Sequence, residues 1–472
     1  MKKLSLMFII MVFFAGLSEM TYALEISFHG DLNHRFQATN RADFLTGDSK
    51  TDRPEINNGD VDSFFGEIKY RLWVDAATND GKVKGVVATE IGGLRFGETD
   101  KMPFSGDKIQ FEVRWAYTDF QIPGVDKHAR FKIGLQPFTV NKYIWQETVG
   151  GVAFDSTAGE KMDYQLAWMR GREVDKTAAN SNENDDRSNV DAFFARLNYN
   201  PGGSLKTGVF LLFQTYDADG ANNGNGDLDS RDYQIKAFGI DKGIDLYSLG
   251  TDGSYKGGNF FVNWDLIYQN GEIKDADFMD FASGLGNNGD FDVNAYFIHF
   301  DVGTNWNQFK FQYTFWYASG DDNPEDDKFD AFLSTDVDID QSIALFEGNY
   351  ADDNYFTERP YLADKGFIMN RFGVDYTATE KLTVGGALLY MFTAEDFKYT
   401  AAATGTSESN NDLGFEFDVY CKYMLYKNVE LAWNAGYLIA GDALDVYEVA
   451  SIQNGTSDED IWISSARVRY KF

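Results

Sequence analysis

The chain is 472 residues long, carries a formal charge of −32 and contains a single cysteine. An internal disulfide framework is therefore excluded, and so acidic a chain is not expected to take nucleic acid as a partner. Aromatic residues make up 16%, and 45 Gly stand against only 7 Pro, a composition suited to many long strands with few interruptions.

The N-terminus reads as a secretory signal. Lys2 and Lys3 precede an apolar run from Leu4 to Leu17, and Thr21-Tyr22-Ala23 follows. This pattern predicts cleavage after Ala23, a signal peptide over 1–23 and one mature domain over 24–472. The apolar run is short for a membrane helix, and no later stretch approaches that length. If the mature chain spans a bilayer it must therefore do so as a closed β-barrel, because only helices and closed barrels satisfy the backbone in lipid. A mean hydropathy of −0.38 agrees with this, since only every second residue of a barrel strand meets lipid.

Alternation begins at once. Ile26, Phe28, Leu32 and Phe36 share one face of the first segment, and Glu25, His29, Asp31 and Arg35 share the other. The second segment sets Ile68, Tyr70, Leu72 and Val74 against Glu67, Lys69, Arg71 and Asp75. It ends in Asn79-Asp80-Gly81, a hairpin turn. The same rhythm continues along the chain. Short turns fall at Pro123-Gly124, Ala158-Gly159, Pro201-Gly202-Gly203, Gly257-Gly258, Asn305–Asn307, Thr379-Glu380 and Lys427-Asn428. Long polar connections alternate with them at 174–189, 217–229, 274–292, 321–365, 397–411 and 443–459. Short turns at one end and long loops at the other are the pattern of an antiparallel up-and-down transmembrane barrel. The segments predict about 18 strands, an even number that brings both ends of the chain to the same side. If 149–157 or 233–255 is loop or plug, the count falls to about 16.

The last segment presents Trp462, Ser464, Ala466, Val468, Tyr470 and Phe472 on one face and Arg467, Arg469 and Lys471 on the other. A terminal Phe472 preceded by Tyr470 and Val468 resembles the C-terminal insertion signal of Gram-negative outer-membrane barrels. That resemblance implies an outer-membrane location, contact with lipid and lipopolysaccharide, and recognition by the barrel assembly machinery. The segment Phe131-Lys132-Ile133-Gly134-Leu135-Gln136-Pro137-Phe138 and the run from Tyr423 to Asp442, ending Tyr-Leu-Ile-Ala-Gly-Asp, resemble porin-like barrels of the alginate-export type. This likeness implies a single 18-stranded barrel with a solute pathway. It does not carry alginate across, because a fold does not name a solute.

Strand parity assigns the lumen. Arg35, Lys69, Arg71, Arg114, Arg130 and Lys132 fall inside, with Lys84, Arg467, Arg469 and Lys471 on the same arc. Asp265, Asp301, Asp375, Glu416, Asp418 and Glu430 fall on the arc opposite, with Arg371 among its few cations. A basic wall facing an acidic one focuses a field across a pore; local cross-strand ion pairs are the plainer reading. An 18-stranded barrel is too wide for its own side chains to fill. The segment 321–365 and the segment 139–148, with Tyr143, Ile144 and Trp145, are therefore expected to narrow it.

Little else carries chemistry. His299 and Asp301 share a face, as do His29 and Asp31, but no Ser or Thr nucleophile is tied to either pair. Asp217-Ala218-Asp219-Gly220 begins like a calcium loop and then departs from its ligand spacing. No catalytic, cofactor or metal residue is expected. The chain reads as a channel passing small hydrophilic solutes, with a polysaccharide export barrel and a barrel hydrolase as alternatives. Its oligomeric state is left open.

Overall fold

A computed structural model describes residues 24–40, 63–97, 109, 111–125, 128–172, 190–217, 243–280, 282–335, 337, 339, 341–346, 363–448 and 450–472. The expected signal peptide, the calcium-like segment after Asp217 and the loop 174–189 lie outside them.

The strands are β1 (Leu24–Thr39), β2 (Ser63–Thr78), β3 (Val83–Arg95), β4 (Glu112–Gln121), β5 (Arg130–Asn141), β6 (Trp145–Thr157), β7 (Met162–Arg172), β8 (Val190–Tyr199), β9 (Leu205–Asp217), β10 (Gly243–Gly257), β11 (Phe260–Met279), β12 (Gly286–Trp306), β13 (Phe309–Ala318), β14 (Lys328–Phe329), β15 (Phe367–Thr377), β16 (Leu382–Thr400), β17 (Ser407–Tyr426), β18 (Val429–Ala440) and β19 (Ile461–Lys471). Each barrel strand pairs antiparallel with its sequence neighbours, and β19 pairs with β1. The two-residue β14 stands apart. It lies parallel to β12 above the end of β13, with Phe329 beside Val293. Without it, the 18 remaining strands form a closed barrel.

Alternation places the apolar groups where the pattern requires. Phe28, Phe64, Leu72, Val87, Phe193, Leu249, Phe372 and Trp433 are exposed on the outer face, the surface a bilayer covers. The opposite parity carries the buried polar residues, among them Gln37, Gln214, Gln269, Thr314 and Ser465.

Two expected loops are not loops. The stretches 274–292 and 397–411 continue β11–β12 and β16–β17 as paired ribbons, closed by short turns at 280–285 and 401–406. Polar residues suit a ribbon that leaves the bilayer, so composition alone cannot distinguish it from a loop. The expected loop at 443–459 includes a short 3-10 helix, Asp442–Tyr447, whose Leu444, Val446 and Tyr447 are buried.

The seam is closed by the last residue. The Phe472 N–H donates to the Gly30 carbonyl (3.0 Å), and Gly30 donates back to Phe472 (2.9 Å). The Phe472 ring lies where a side chain at position 30 would stand, 2.4 Å from an ideal Cβ there. Only glycine leaves that room.

Candidate functional site

The β5–β6 hairpin begins in the wall and leaves it. Pairing of β4 with β5 ends at Ala116–Leu135, and pairing of β6 with β7 ends at Gly150–Arg170. Above that level β5 and β6 pair only with each other, from Gln136–Val149 to Asn141–Trp145. The departure is marked by Gly134, whose φ is 127°, and by its partner Gly151, where a Cβ would meet the Trp168 carbonyl at 2.3 Å. Glycines and Pro137 at this level free the hairpin from its neighbours and turn it inward.

The hairpin tip crosses to the far wall. Tyr143 packs against Phe297 (4.6 Å), His299 (4.9 Å) and Trp316 (5.4 Å) of β12 and β13, its ring tilted to each. Asn141 donates to Asp265 of β11 (2.7 Å), and Arg196 of β8 donates to the Val140 carbonyl (3.1 Å). Arg196 also pairs with Asp252 of β10.

The β13–β15 connection folds into the same space. Leu333 exchanges hydrogen bonds with the Gln269 side chain of β11, at 2.8 and 2.9 Å. The Thr335 N–H donates to the Ile144 carbonyl of the hairpin (2.7 Å), and Gln214 of β9 donates to the Thr335 hydroxyl (2.8 Å). Further on, the chain reaches β17. There the Glu416 carboxylate accepts from Ser342 Oγ (2.8 Å) and from the N–H groups of Ile343 and Ala344 (2.8 Å each). Phe332 packs on Phe297 (5.2 Å) and Phe346 on Phe367 (5.4 Å). The segment 139–148 and the described residues 331–335 and 341–346 of the segment 321–365 therefore lie inside the barrel; residues 347–362 lie outside the described residues.

The two arcs of wall differ in what covers them. On the basic arc each cation meets a neighbouring strand. Arg35 pairs with Glu67 (2.7 Å), Arg130 with Asp119 (2.7 Å), and Arg469 donates to Asp31 (2.7 Å). Glu90 of β3 gathers Lys69 (3.6 Å), Arg71 (2.6 Å) and Arg114 (2.5 Å). Lys132 lies over the Tyr117 ring at 5.7 Å. Arg71, Arg114 and Arg130 keep water, with 34% of the Arg71 side chain exposed. The acidic arc is largely covered. His299 bridges Asp265 (2.8 Å) and Asp301 (3.3 Å), buried beneath Tyr143. Glu416 is 0% and Asp418 3% exposed. Asp375 accepts from the Tyr420 hydroxyl (2.6 Å), and Glu430 pairs with Arg467 (2.6 Å).

Several sequence-derived assignments change accordingly. Glu416 and Asp301 face inward, as parity requires, but they are sealed by the inserted segments and do not border open water. Arg35 is likewise buried, at 5% exposure. On β4 a bulge opposite Ala88/Thr89 shifts the parity. Trp115 and Tyr117 then face the lumen: Trp115 packs on Trp73 (5.9 Å) and donates to Thr148 of the hairpin (3.3 Å). Sequence reading missed both, and it missed Arg196 and Asn141, which join the hairpin to the wall. The signal for Asn141 was its place beside the aromatic tip.

No family model matches the chain, and no curated protein matches it. Among solved structures it is similar to OccK8 (OprE) of Pseudomonas aeruginosa, with a TM-score of 0.52, 12% identity, and coverage of 95% of this chain and 98% of that one. OccAB4 of Acinetobacter baumannii is similar at a TM-score of 0.50 and 12% identity, with coverage of 95% and 98%. At that identity the likeness speaks to the fold: a closed 18-strand antiparallel barrel over nearly the whole length of both chains.

Proposed function

We propose that the chain is an outer-membrane channel through which small hydrophilic solutes diffuse, on a track along the basic wall. One observation carries this reading: the inserted segments cover Asp265, Asp301, Glu416 and Asp418 of the acidic arc, while Arg71, Arg114, Arg130 and Lys132 remain in contact with water. A narrowed lumen with fixed charge on its wet side lowers the barrier for small polar solutes. It suits them better than the polymer that the alginate-export resemblance would name, because a polysaccharide needs width that the two segments remove. A hydrolase is disfavoured by the burial of His299 beneath Tyr143.

The same reading supplies location and assembly. Residues 1–23 direct secretion across the inner membrane. Val468, Tyr470 and Phe472 face lipid and serve as the mark read by the assembly machinery, and lipopolysaccharide surrounds the outer rim. Planar-bilayer recording of the refolded protein tests the channel. Discrete conductance steps are the expected result, and a folded barrel that passes no current would overturn it.

A further inference from the structure

Below the turn at 341–343 the wall holds a cavity of about 270 Å³ between β13, β15, β17 and β18. It is built by side chains that lie flat. Gly385 stands opposite both Asp375 and Tyr420, and an ideal Cβ there would be 2.4 Å from the Tyr420 ring. Tyr420 thus reclines across the wall to reach Asp375, and the space above it stays open.

The charges in this cavity differ from most of the lumen's arginines. Arg35, Arg71, Arg130, Arg196 and Arg467 each touch a carboxylate directly. Lys310, Arg371 and Lys422 line the cavity, and among the described residues none of them makes an ion pair within 4.0 Å. The same holds for Asp375 and Asp418. Charges of both signs face one space and are held apart. The neutral groups are unsatisfied too. Asn434 is 2% exposed, and neither its amide oxygen nor its nitrogen has a partner. Asp418 keeps one oxygen unpartnered, and Arg371 keeps Nε. Buried polar atoms left in this way favour an occupant that completes them.

A lone anion would be drawn to the three cations but repelled by the Asp375 carboxylate, and a lone cation would meet the reverse. A molecule carrying both charges satisfies both sets, and the Asn434 amide can accept from its ammonium while donating to its carboxylate. We propose that this cavity is a binding site for a small zwitterion, with one ammonium and one carboxylate on a short chain. The proposal rests on the channel reading, which brings solutes to it.

The test is calorimetric titration of the detergent-folded full-length barrel with β-alanine, set against propionate, propylamine and glycerol. Saturable binding of β-alanine is expected, with each of the other three weaker by about tenfold or more. Asn434→Leu and Arg371→Met should each weaken β-alanine by about tenfold. Lys422→Met, at an exposed position that the fold tolerates, should weaken it in the same direction. Heat-modifiable mobility confirms that each variant is folded. No saturable binding, equal binding of a singly charged probe or of glycerol, or indifference to all three substitutions would overturn the site. Bilayer recording of the same preparation separates the two claims. A barrel that conducts without binding β-alanine removes the site and leaves the channel. One that binds without conducting removes the channel and leaves the site.

Discussion

The Glu416 carboxylate is fully buried and is held by donors: Ser342 Oγ and the N–H groups of Ile343 and Ala344. Charge-assisted bonds of this kind contribute about 1.5–3 kcal/mol each and do not add independently. Glu416→Ala would strand three donors, so the 342–346 turn should leave the wall. Higher and noisier single-channel current from a still heat-modifiable barrel is the expected outcome; unchanged current would remove Glu416 as the anchor. The base of the same connection carries a pH response. Lys365 contacts Asp280 and, at 2.7 Å, Asp364, and Asp321 accepts from the Asp330 N–H (3.2 Å). Burial pushes Asp364 up to about 7 and Asp321 up to about 6, and burial beside Asp322 and Asp326 raises Asp330. Burial also opposes ionisation of Asp280, but Lys365 outweighs it and holds that carboxyl below its usual range. A carboxyl raised on folding contributes stability that is full below its ordinary pKa of 3.8 and is lost as pH rises through the folded value. Asp280 acts in the opposite sense only at pH values below that range. The base of the connection should therefore loosen between about pH 5 and 8. Limited proteolysis should cut it faster at pH 8 than at pH 5, and Asp364→Asn should abolish most of the difference.

At the scale of elements, the β5–β6 hairpin decides how much lumen is left. Replacing 142–146 by two glycines should raise conductance by about twofold or more, because current follows the open cross-section. The bend itself can be tested for stability. Gly151→Val should prevent folding, since its Cβ would strike the Trp168 carbonyl at 2.3 Å, whereas Gly150→Ala should be tolerated, with its nearest atom at 4.0 Å. Loss of heat-modifiable barrel in the first variant alone is the readout. This element also shows how far the sequence could be read. Strand positions were legible because alternation records which face meets lipid. The detachment is subtler, because β5 and β6 stay paired to each other; its trace is a switch of apolar parity past Leu135, from Phe131, Ile133 and Leu135 to the buried Phe138 and Val140, within a single strand. Gly134, Pro137, Gly150 and Gly151 so close to Tyr143-Ile144-Trp145 were a further hint. The apolar runs Ala331-Phe332-Leu333 and Ile343-Ala344-Leu345-Phe346 gave a clearer one, since such runs in an otherwise polar connection need a surface to cover. Parity on β4 failed at its bulge, which shifts Trp115 and Tyr117 inward without altering composition.

Over the whole molecule, closure and field both depend on the meeting of the two ends. Deleting Phe472, or filling its seat with Gly30→Val, should reduce assembled barrel while leaving secretion intact, because either change opens the β1–β19 edge. Normal amounts of folded barrel from both variants would count against the seam. Closure also sets β19 beside β1, so that Arg467 and Arg469 join Arg35, Lys69, Arg71, Arg114, Arg130 and Lys132 on one arc. Most of these cations are paired across strands, which weakens the field that the bare sequence suggests. The cluster around Glu90 is the exception: Glu90 and Glu147, the latter 3.5 Å from Arg114, together face three cations, and the balance stays positive where Arg71 is wet. The opposite arc cannot offset this in the upper lumen, since Asp301 and Glu416 are sealed beneath the inserted segments. The native channel should therefore favour anions in a salt gradient. Arg71→Ala with Arg114→Ala leaves Glu90 facing Lys69 alone, and the reversal potential should shift towards cations. Glu90→Gln should shift it the other way, a pairing of results that a general loosening of the wall would not give. Both shifts should shrink at 1 M salt, where charges are screened within about 3 Å. If neither variant moves the reversal potential at low salt, the cations around Glu90 only keep the wall solvated, and selectivity is set elsewhere in the barrel.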